Sequence, residues 1–586
     1  MTLLKFVRTP YLLTAFAGAM ITCLAHSAQD TQPSSAAVPP PDGRPNVVVI
    51  ALDDVGFSDL GCFGSEIRTP HIDRLARSGL RYTRFDTKAI CSPTRASLMT
   101  GRNSHTVRMA DLPSSLQQAD RGDLSCYRGE LPDNAQTLAQ ALRRSGYATF
   151  ALGKWHLIPA YETGEAGRNA SFPLQRGFDH FYGFKEGWTD QYHPELFEGN
   201  ARIPTPAHAN YHLSEDLVDR AIGAMKASRT AAPNKPMFLY LAFGVAHAPM
   251  QVDRKYIDRY DSVYVKGWDA IRSERFARMK EMGIIPESTV LPERNQGDPS
   301  WSSLSDQQRR VYARFMATYA GFIEHGDAQI GRLMTFLQQS GLMSNTMVVL
   351  FSDNGAASEM KFGAFRTPYA DETTLDEIDR HLDELGTDKT QALYQRPWAM
   401  AGVTPFRRYK LWPYLGGVRA PLIVTHPGIV KDEGAVRTHY VDVVDIAPTI
   451  LEAAGTRFED VVEGEQQIPV AGKSFLETLV SAQAPSPRTV QYFELRGNRA
   501  ITSGNWRALA VHRPGTEFSE DEWRLFNVES DPSESRNLAT VHPEKLEELK
   551  ALWWTEAEKH GALPLEEPSP LILKYSGFSA EFEEGR

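Results

Sequence analysis

Residues Asn46 to Leu52 read Asn-Val-Val-Val-Ile-Ala-Leu, an apolar run with no polar alternation before Asp53-Asp54. A strand that is polar on neither face is buried on both, as in a parallel sheet covered by helices. Four more runs share this character: Ala148–Leu152, leading to Lys154 and His156; Pro236–Phe243, followed by His247; Met347–Phe351, ending in Asp353-Asn354; and Pro421–Thr425. Segments with helical periodicity alternate with them, at Thr137–Ser145, Leu213–Ser228, Gln307–Ser340 and Val444–Gly455. This alternation predicts a large α/β fold with a central mixed, mostly parallel sheet flanked by helices. Ligands of such sheets bind beyond the carboxyl ends of the strands. The polar residues just named sit at those ends.

The pattern changes near Arg488. Short alternating runs at Val490–Glu494, Arg499–Ile501, Trp506–Val511 and Trp523–Phe526, followed by a helix over about Pro543–His560, predict a smaller C-terminal α+β domain spanning 488–586. The main domain is expected over 46–487. Two stretches inside it, Val252–Ser305 and Gly355–Leu411, read as irregular insertions of the kind that cover substrates. At the N-terminus, Lys5 and Arg8 precede a mostly apolar stretch from Tyr11 to Leu24 and small residues at Ala25-His26-Ser27, which predicts an export signal over 1–27. The apolar run is short for a spanning helix, so no stable membrane span is expected after signal removal. Residues 28–45, rich in Pro, Ser and Ala, read as a disordered leader. The mature protein is therefore expected to be periplasmic or secreted.

Composition adds limits rather than a function. A net charge of -10 argues against a nucleic-acid partner. Of the four cysteines, Cys23 leaves with the signal. Three then remain in an exported chain, which leaves one without a disulfide partner. With Cys91 as the odd one, Cys62 and Cys126 are left as a pair able to form a disulfide.

The chemistry concentrates at Cys91-Ser-Pro-Thr-Arg-Ala-Ser-Leu-Met-Thr-Gly-Arg102. A helix starting at about Pro93 would direct free backbone N–H groups toward an anion, with a cysteine beside it and Arg95 near. A structural cysteine on a loop would give the same local reading. Gly153-Lys-Trp-His156 places two cationic side chains two residues apart, on one face if the segment stays extended. Asp53, Asp54, Asp353 and Asn354 offer oxygen ligands at strand ends, a set that suits calcium or magnesium better than zinc.

The Cys-Ser-Pro-Thr-Arg and Leu-Met-Thr-Gly-Arg segments closely resemble the signature of the sulfatase family, and Gly-Lys-Trp-His resembles its second signature. Thr94 stands where Ser or Ala is common. The resemblance runs from Asn46 to about Leu538 and favours the arylsulfatase branch. It implies the alkaline-phosphatase-like sulfatase fold and hydrolysis of sulfate esters, the activity of a sulfuric ester hydrolase. It also implies oxidation of Cys91 to formylglycine (3-oxoalanine) by a maturation enzyme, and one divalent ion, calcium rather than magnesium, held by Asp53, Asp54, Asp353, Asn354 and the group at position 91. Arg95 would hold that group. Lys154 and Lys410 would neutralise sulfate, His247 or Lys410 would protonate the leaving oxygen, and His156 would act as a base. Lys410 precedes Gly416-Gly417, where the family carries Glu immediately before the glycines and this chain has Leu415. Asn354, where phosphonate and phosphodiester hydrolases of the same superfamily tend to carry His, favours a sulfatase, and the resemblance implies a sulfated small molecule or saccharide as substrate. A phosphate or phosphonate hydrolase and a non-catalytic sugar binder are the competing readings.

Overall fold

The computed structural model describes residues 43–567, apart from 114–125, 127, 163–166, 209, 360–362 and 366–372. The expected export signal and nearly all of the expected leader lie outside the described residues.

The Asn46–Leu52 run is strand β1, and every residue in it is buried. The main sheet adds β2 (Leu80–Tyr82), β3 (Ala148–Lys154), β4 (His180–Phe184), β5 (Leu196–Glu198), β6 (Ala201–Ile203), β7 (Met237–Ala242), β8 (Thr346–Ser352), β9 (Leu422–Thr425) and β10 (Val436–Arg437). Their spatial order is β10-β2-β9-β8-β1-β7-β3-β4-β5-β6. Strands β8, β1, β7, β3 and β4 are mutually parallel. Strand β9, one of the five apolar runs, lies antiparallel to both β8 and β2. Its continuous apolar character reports burial on both faces and carries no information about direction.

Alternate residues of the central strands feed two separate cores. Val48, Ile50, Leu52, Leu239, Leu241, Val348 and Leu350 enter one, and Val47, Val49, Ala51, Phe238, Tyr240, Met347, Val349 and Phe351 enter the other. This is the period of two expected for a pleated strand covered on both sides. Helices α1 (Pro70–Ser78), α2 (Cys91–Thr100), α3 (Leu138–Arg144), α4 (Leu213–Ala231), α5 (Gly267–Glu281), α6 (Asp306–Gln339), α7 (Arg396–Gly402), α8 (Ile446–Ala453) and α9 (Pro543–Lys559) follow in chain order. Helices α4 and α6 cover the first face, and α2, α3 and α8 cover the second. Helix α6 begins in a capping box, with Ser305 Oγ accepting from Gln308 N–H and Gln308 Oε1 accepting from Ser305 N–H.

The Val252–Ser305 segment departs from the expected irregular loop, because it contains α5. The buried face of α5 includes Arg272 and Arg275 beside Trp268, Ile271 and Met279. A helix that buries guanidinium groups shows little apolar periodicity, which hid it in the sequence. The Gly355–Leu411 segment likewise contains α7 and a short helix at Leu375–Arg380.

At the C-terminus, β11 (Val490–Leu495), β12 (Asn498–Ser503), β13 (Trp506–Ala510) and β14 (Trp523–Asn527) form an antiparallel meander. Helix α9 lays Leu549, Trp553 and Ala557 on it, closing a third core with Ile501, Ala508 and Leu525. Cys62 is a free buried thiol, so no Cys62–Cys126 disulfide forms. Among the described residues no helix is long and apolar enough to cross a membrane.

Candidate active site

Strands β1 and β8 lie side by side and in register, Leu52 opposite Ser352. Their next residues, Asp53-Asp54 and Asp353-Asn354, therefore leave the sheet together. Asp54 N–H donates to Asp353 Oδ1 at 3.3 Å, and Asn354 Nδ2 donates to Asp54 Oδ1 at 2.6 Å. All four residues are buried. Asp54 adopts φ +60°, an uncommon value for a residue with a Cβ. Just beyond Asn354, a Cβ on Gly355 would lie 1.9 Å from the Gly416 carbonyl oxygen, so the Gly416-Gly417 turn can pack there only against glycine.

Three cations face these three carboxylates, Lys154 and Arg95 buried and Lys410 partly exposed. Lys154, the last residue of β3, donates from Nζ to Asp53 Oδ2 at 2.7 Å. Lys410 Nζ donates to both oxygens of Asp54, at 2.7 and 2.9 Å. Arg95 grips Asp353 Oδ2 through Nε at 3.0 Å and Nη2 at 2.7 Å, and its Nη1 donates to the Lys154 carbonyl and the Tyr240 hydroxyl. Buried charges persist only when paired in this way. Burial alone would raise the Asp54 carboxyl. Lys410, His247 and Lys154 overcome it and hold the group well below the usual carboxylate range. Burial and the neighbouring Asp53 charge push Asp353 up.

Cys91 opens helix α2, two residues before the expected start at Pro93. Proline is tolerated there because the first turn leaves N–H groups without helical partners in any case. The Cys91 thiol is buried, and burial raises its pKa. It is a protonated thiol at neutral pH, unsuited to act as a thiolate nucleophile. Lys154 and Lys410 both bear on it electrostatically, as do Asp353 and Asp53.

Strand β3 ends at Lys154, so the expected extended alternation of Lys154 and His156 does not hold. His156 follows at φ +56° and reaches the site through a turn. Its carbonyl accepts from Ser92 Oγ at 2.8 Å, tying the second signature to the first. Burial, then Lys154 and Arg95, pushes the ring well below the ordinary histidine range, and its buried Nδ1 lacks a hydrogen-bond partner. A Cβ on Gly187 would come within 2.7 Å of this ring, so the loop after β4 fixes its position. His247 lies in the loop after β7. Its Nε2 stands 3.6 Å from Asp54 Oδ2, and its Nδ1 contacts the Ala248 carbonyl at 2.7 Å. Burial lowers the His247 pKa against the pull of Asp54.

The oxygen-rich set fits a hard divalent cation. Ligand atoms of Asp53, Asp54 and His247 all lie within 4.8 Å of one another. Asn354 Oδ1 is a buried acceptor without a partner, the kind of orphan a cation would satisfy. All ten residues singled out in the sequence thus gather at one end of the central strands. Two participants escaped sequence reasoning. Tyr240 sits inside an apolar run, where its hydroxyl looked incidental, and Ser92 was hidden within a motif dominated by its cysteine. Glu359 is a third addition, a carboxyl raised to about 7 by burial, with Lys410 opposing and Asp54 reinforcing the shift.

Comparison with known proteins agrees with this geometry. The Sulfatase family model matches residues 45–456, and a model described as N-sulphoglucosamine sulphohydrolase, C-terminal, matches 408–559. An uncharacterized sulfatase of Schizosaccharomyces pombe is 32% identical over 527 residues, covering 87% of this chain and 93% of the relative. An arylsulfatase of Klebsiella aerogenes is 30% identical over 472 residues, covering 78% and 95%. The crystal structure of Ps i-CgsB in complex with k-i-k-neocarrahexaose superposes with a TM-score of 0.61 at 20% identity, covering 92% of this chain and 97% of that one. With a family model spanning most of its length and relatives matched nearly end to end, the chain belongs to the sulfatase family of the alkaline phosphatase superfamily, and the reaction it catalyses is hydrolysis of sulfate esters.

Proposed function

We propose that the protein is an exported, arylsulfatase-like enzyme that releases sulfate from a small-molecule or saccharide ester, using formylglycine made from Cys91 and one calcium ion. The observation that carries this reading is the convergence of Cys91 with three buried carboxylates, buried Lys154 and Arg95, and a partly exposed Lys410. The six charges cancel as they stand. A dication bound at Asp53, Asp54, Asp353 and Asn354 leaves a surplus of two positive charges, which suits an anionic ester that gains negative charge in its transition state. Asp53, Asp54, Asp353 and Asn354 would hold the ion, which would favour the ionised form of a hydroxyl on the hydrated aldehyde at position 91, the group that would supply the nucleophile.

The chain's own residues divide the remaining work. Lys154 and Lys410 present ammonium groups to the sulfate oxygens. Arg95 bonds Asp353, Tyr240 and the Lys154 backbone, so it orients a metal ligand and the floor of the site. Two groups can protonate the leaving oxygen. Lys410 is the one charged in the free site, since Asp54 raises its pKa, whereas burial favours neutral His247. His156 is neutral with a free Nδ1, which qualifies it to take the proton from the second hydroxyl. A maturation enzyme must act on Cys91, and the basic, apolar N-terminal segment supports export.

The test is a comparison of kcat/KM for a sulfate and a phosphate ester of the same phenol, with a Cys91→Ala control. The proposal expects sulfate to be preferred and the variant to lose about 10³-fold or more in kcat. Faster phosphate turnover, or activity retained by the variant, contradicts it.

A further inference from the structure

The turn that carries Asp53 and Asp54 is not self-supporting. Asp54 holds a positive φ, and the chain then passes through Gly56, where a Cβ would lie 2.4 Å from the Gly402 carbonyl oxygen. Asp59 closes the turn from below, its Oδ2 accepting from Gly56 N–H at 2.9 Å. The same oxygen accepts from the Tyr319 hydroxyl of α6 at 2.9 Å, and that hydroxyl also lies 3.3 Å from the Asp54 carbonyl oxygen. The other Asp59 oxygen accepts from Arg275 Nη1 of α5. Arg275 is itself clamped by Glu66 through Nε at 2.9 Å and Nη2 at 2.7 Å, and Glu66 accepts in addition from Tyr264 and Arg278. Tyr319 is fixed by face-to-face stacking on Tyr394, with centroids 3.8 Å apart and planes within 11°.

Asp59, Arg275 and Tyr319 are all fully buried, and none is among the groups assigned above to sulfate. Their geometry converges instead on the backbone of the Asp53–Gly56 turn. We propose that Tyr319, Asp59 and Arg275 are positioning residues that set the affinity of the site for its divalent ion, and that the Val252–Ser305 insertion serves this purpose through α5. The inference rests on the metal site argued under the proposed function. Groups that orient metal ligands from behind are commonly worth 10- to 100-fold in metal affinity.

Tyr319→Phe isolates the effect, because it removes the hydroxyl and keeps the stacking surface. Calcium binding to the metal-free protein is titrated by calorimetry, alongside the melting temperature in chelator and kcat at saturating calcium. The expected result is a calcium Kd weakened about tenfold or more, a melting temperature lowered by no more than about 3 °C, and kcat largely restored by excess calcium. Arg275→Lys is the second variant. It keeps a charge but loses the fork that spans Asp59 and Glu66, and it should weaken calcium binding in the same direction. An unchanged calcium Kd in Tyr319→Phe, with or without a lower melting temperature, overturns the inference and leaves the relay a purely structural one. Absence of calcium binding in the unaltered protein overturns the calcium site itself, a separate outcome that the same titration reads.

Discussion

Arg95 joins more of the site than any other single side chain, and its energetics follow from burial. It sits four residues after Cys91 on α2 and bonds Asp353, the Lys154 carbonyl and Tyr240 with no exposure to solvent. Removing one partner of a buried pair strands the other and costs about 3–5 kcal/mol. Arg95→Ala should therefore lower the midpoint of denaturant unfolding as well as activity, and unchanged unfolding would refute the pairing. Residue types at this scale were legible in the sequence where a motif concentrated them, as at Cys91–Arg95 and Lys154–His156. Their roles were less so. Arg95 read as a holder of the nucleophile, and its side-chain hydrogen bonds add Asp353, the Lys154 carbonyl and Tyr240, partners the motif did not name. Tyr240 and Asp59 gave no signal because a lone tyrosine or aspartate has many structural uses, and only folding brings them to the charged cluster.

At the scale of elements, α1 and α6 show how one titrating group couples helices. Asp327 of α6 accepts from the His71 and Ile72 N–H groups at the start of α1, at 3.1 and 2.8 Å. Burial nevertheless raises its carboxyl to about 7, against the help of those backbone donors. The folded value lies above the unfolded value near 4, so the folded state binds more protons in this interval. Stability from this group is full below about pH 4 and is lost as pH rises toward 7, by about 1.4 kcal/mol for each unit. Asp327→Asn removes that slope. Its unfolding free energy relative to the parent should increase from pH 4 to 7, and a difference independent of pH would contradict the assignment. The main elements were readable because short continuous apolar runs and longer helical runs, above all Gln307–Ser340, leave few alternatives. Helix α5 was not, since its buried face is built on Arg272 and Arg275. The reversed direction of β9 was equally silent, because direction is set by connections and not by composition.

Across the whole molecule, the C-terminal sheet reaches back to the loop that carries Lys410. Glu534 accepts from Leu415 N–H at 2.8 Å, and its other oxygen accepts from Arg507 Nε of β13 at 3.1 Å. Arg507 also donates to the Pro413 carbonyl, and Arg524 to the Tyr414 hydroxyl. The Lys410–Gly417 loop thus hangs from the meander, and a carboxylate from position 534 meets the backbone where Leu415 departs from the family pattern. Glu534→Ala should reduce kcat by about tenfold or more through misplacement of Lys410, while leaving calcium affinity nearly intact. Full activity in that variant would mean the meander is only an appendage. The contact itself was not legible in the sequence, since its two ends lie more than a hundred residues apart and the resemblance that marks Lys410 and Gly416-Gly417 does not say that Glu534 meets them.

The account turns on what Cys91 becomes. Mass spectrometry of the peptide containing Cys91, from protein purified in active form, tests it most directly. The account predicts an aldehyde in place of the thiol, trapped by a carbonyl reagent and present in proportion to specific activity. A fully active preparation that carries only the unmodified Cys91 thiol would contradict it.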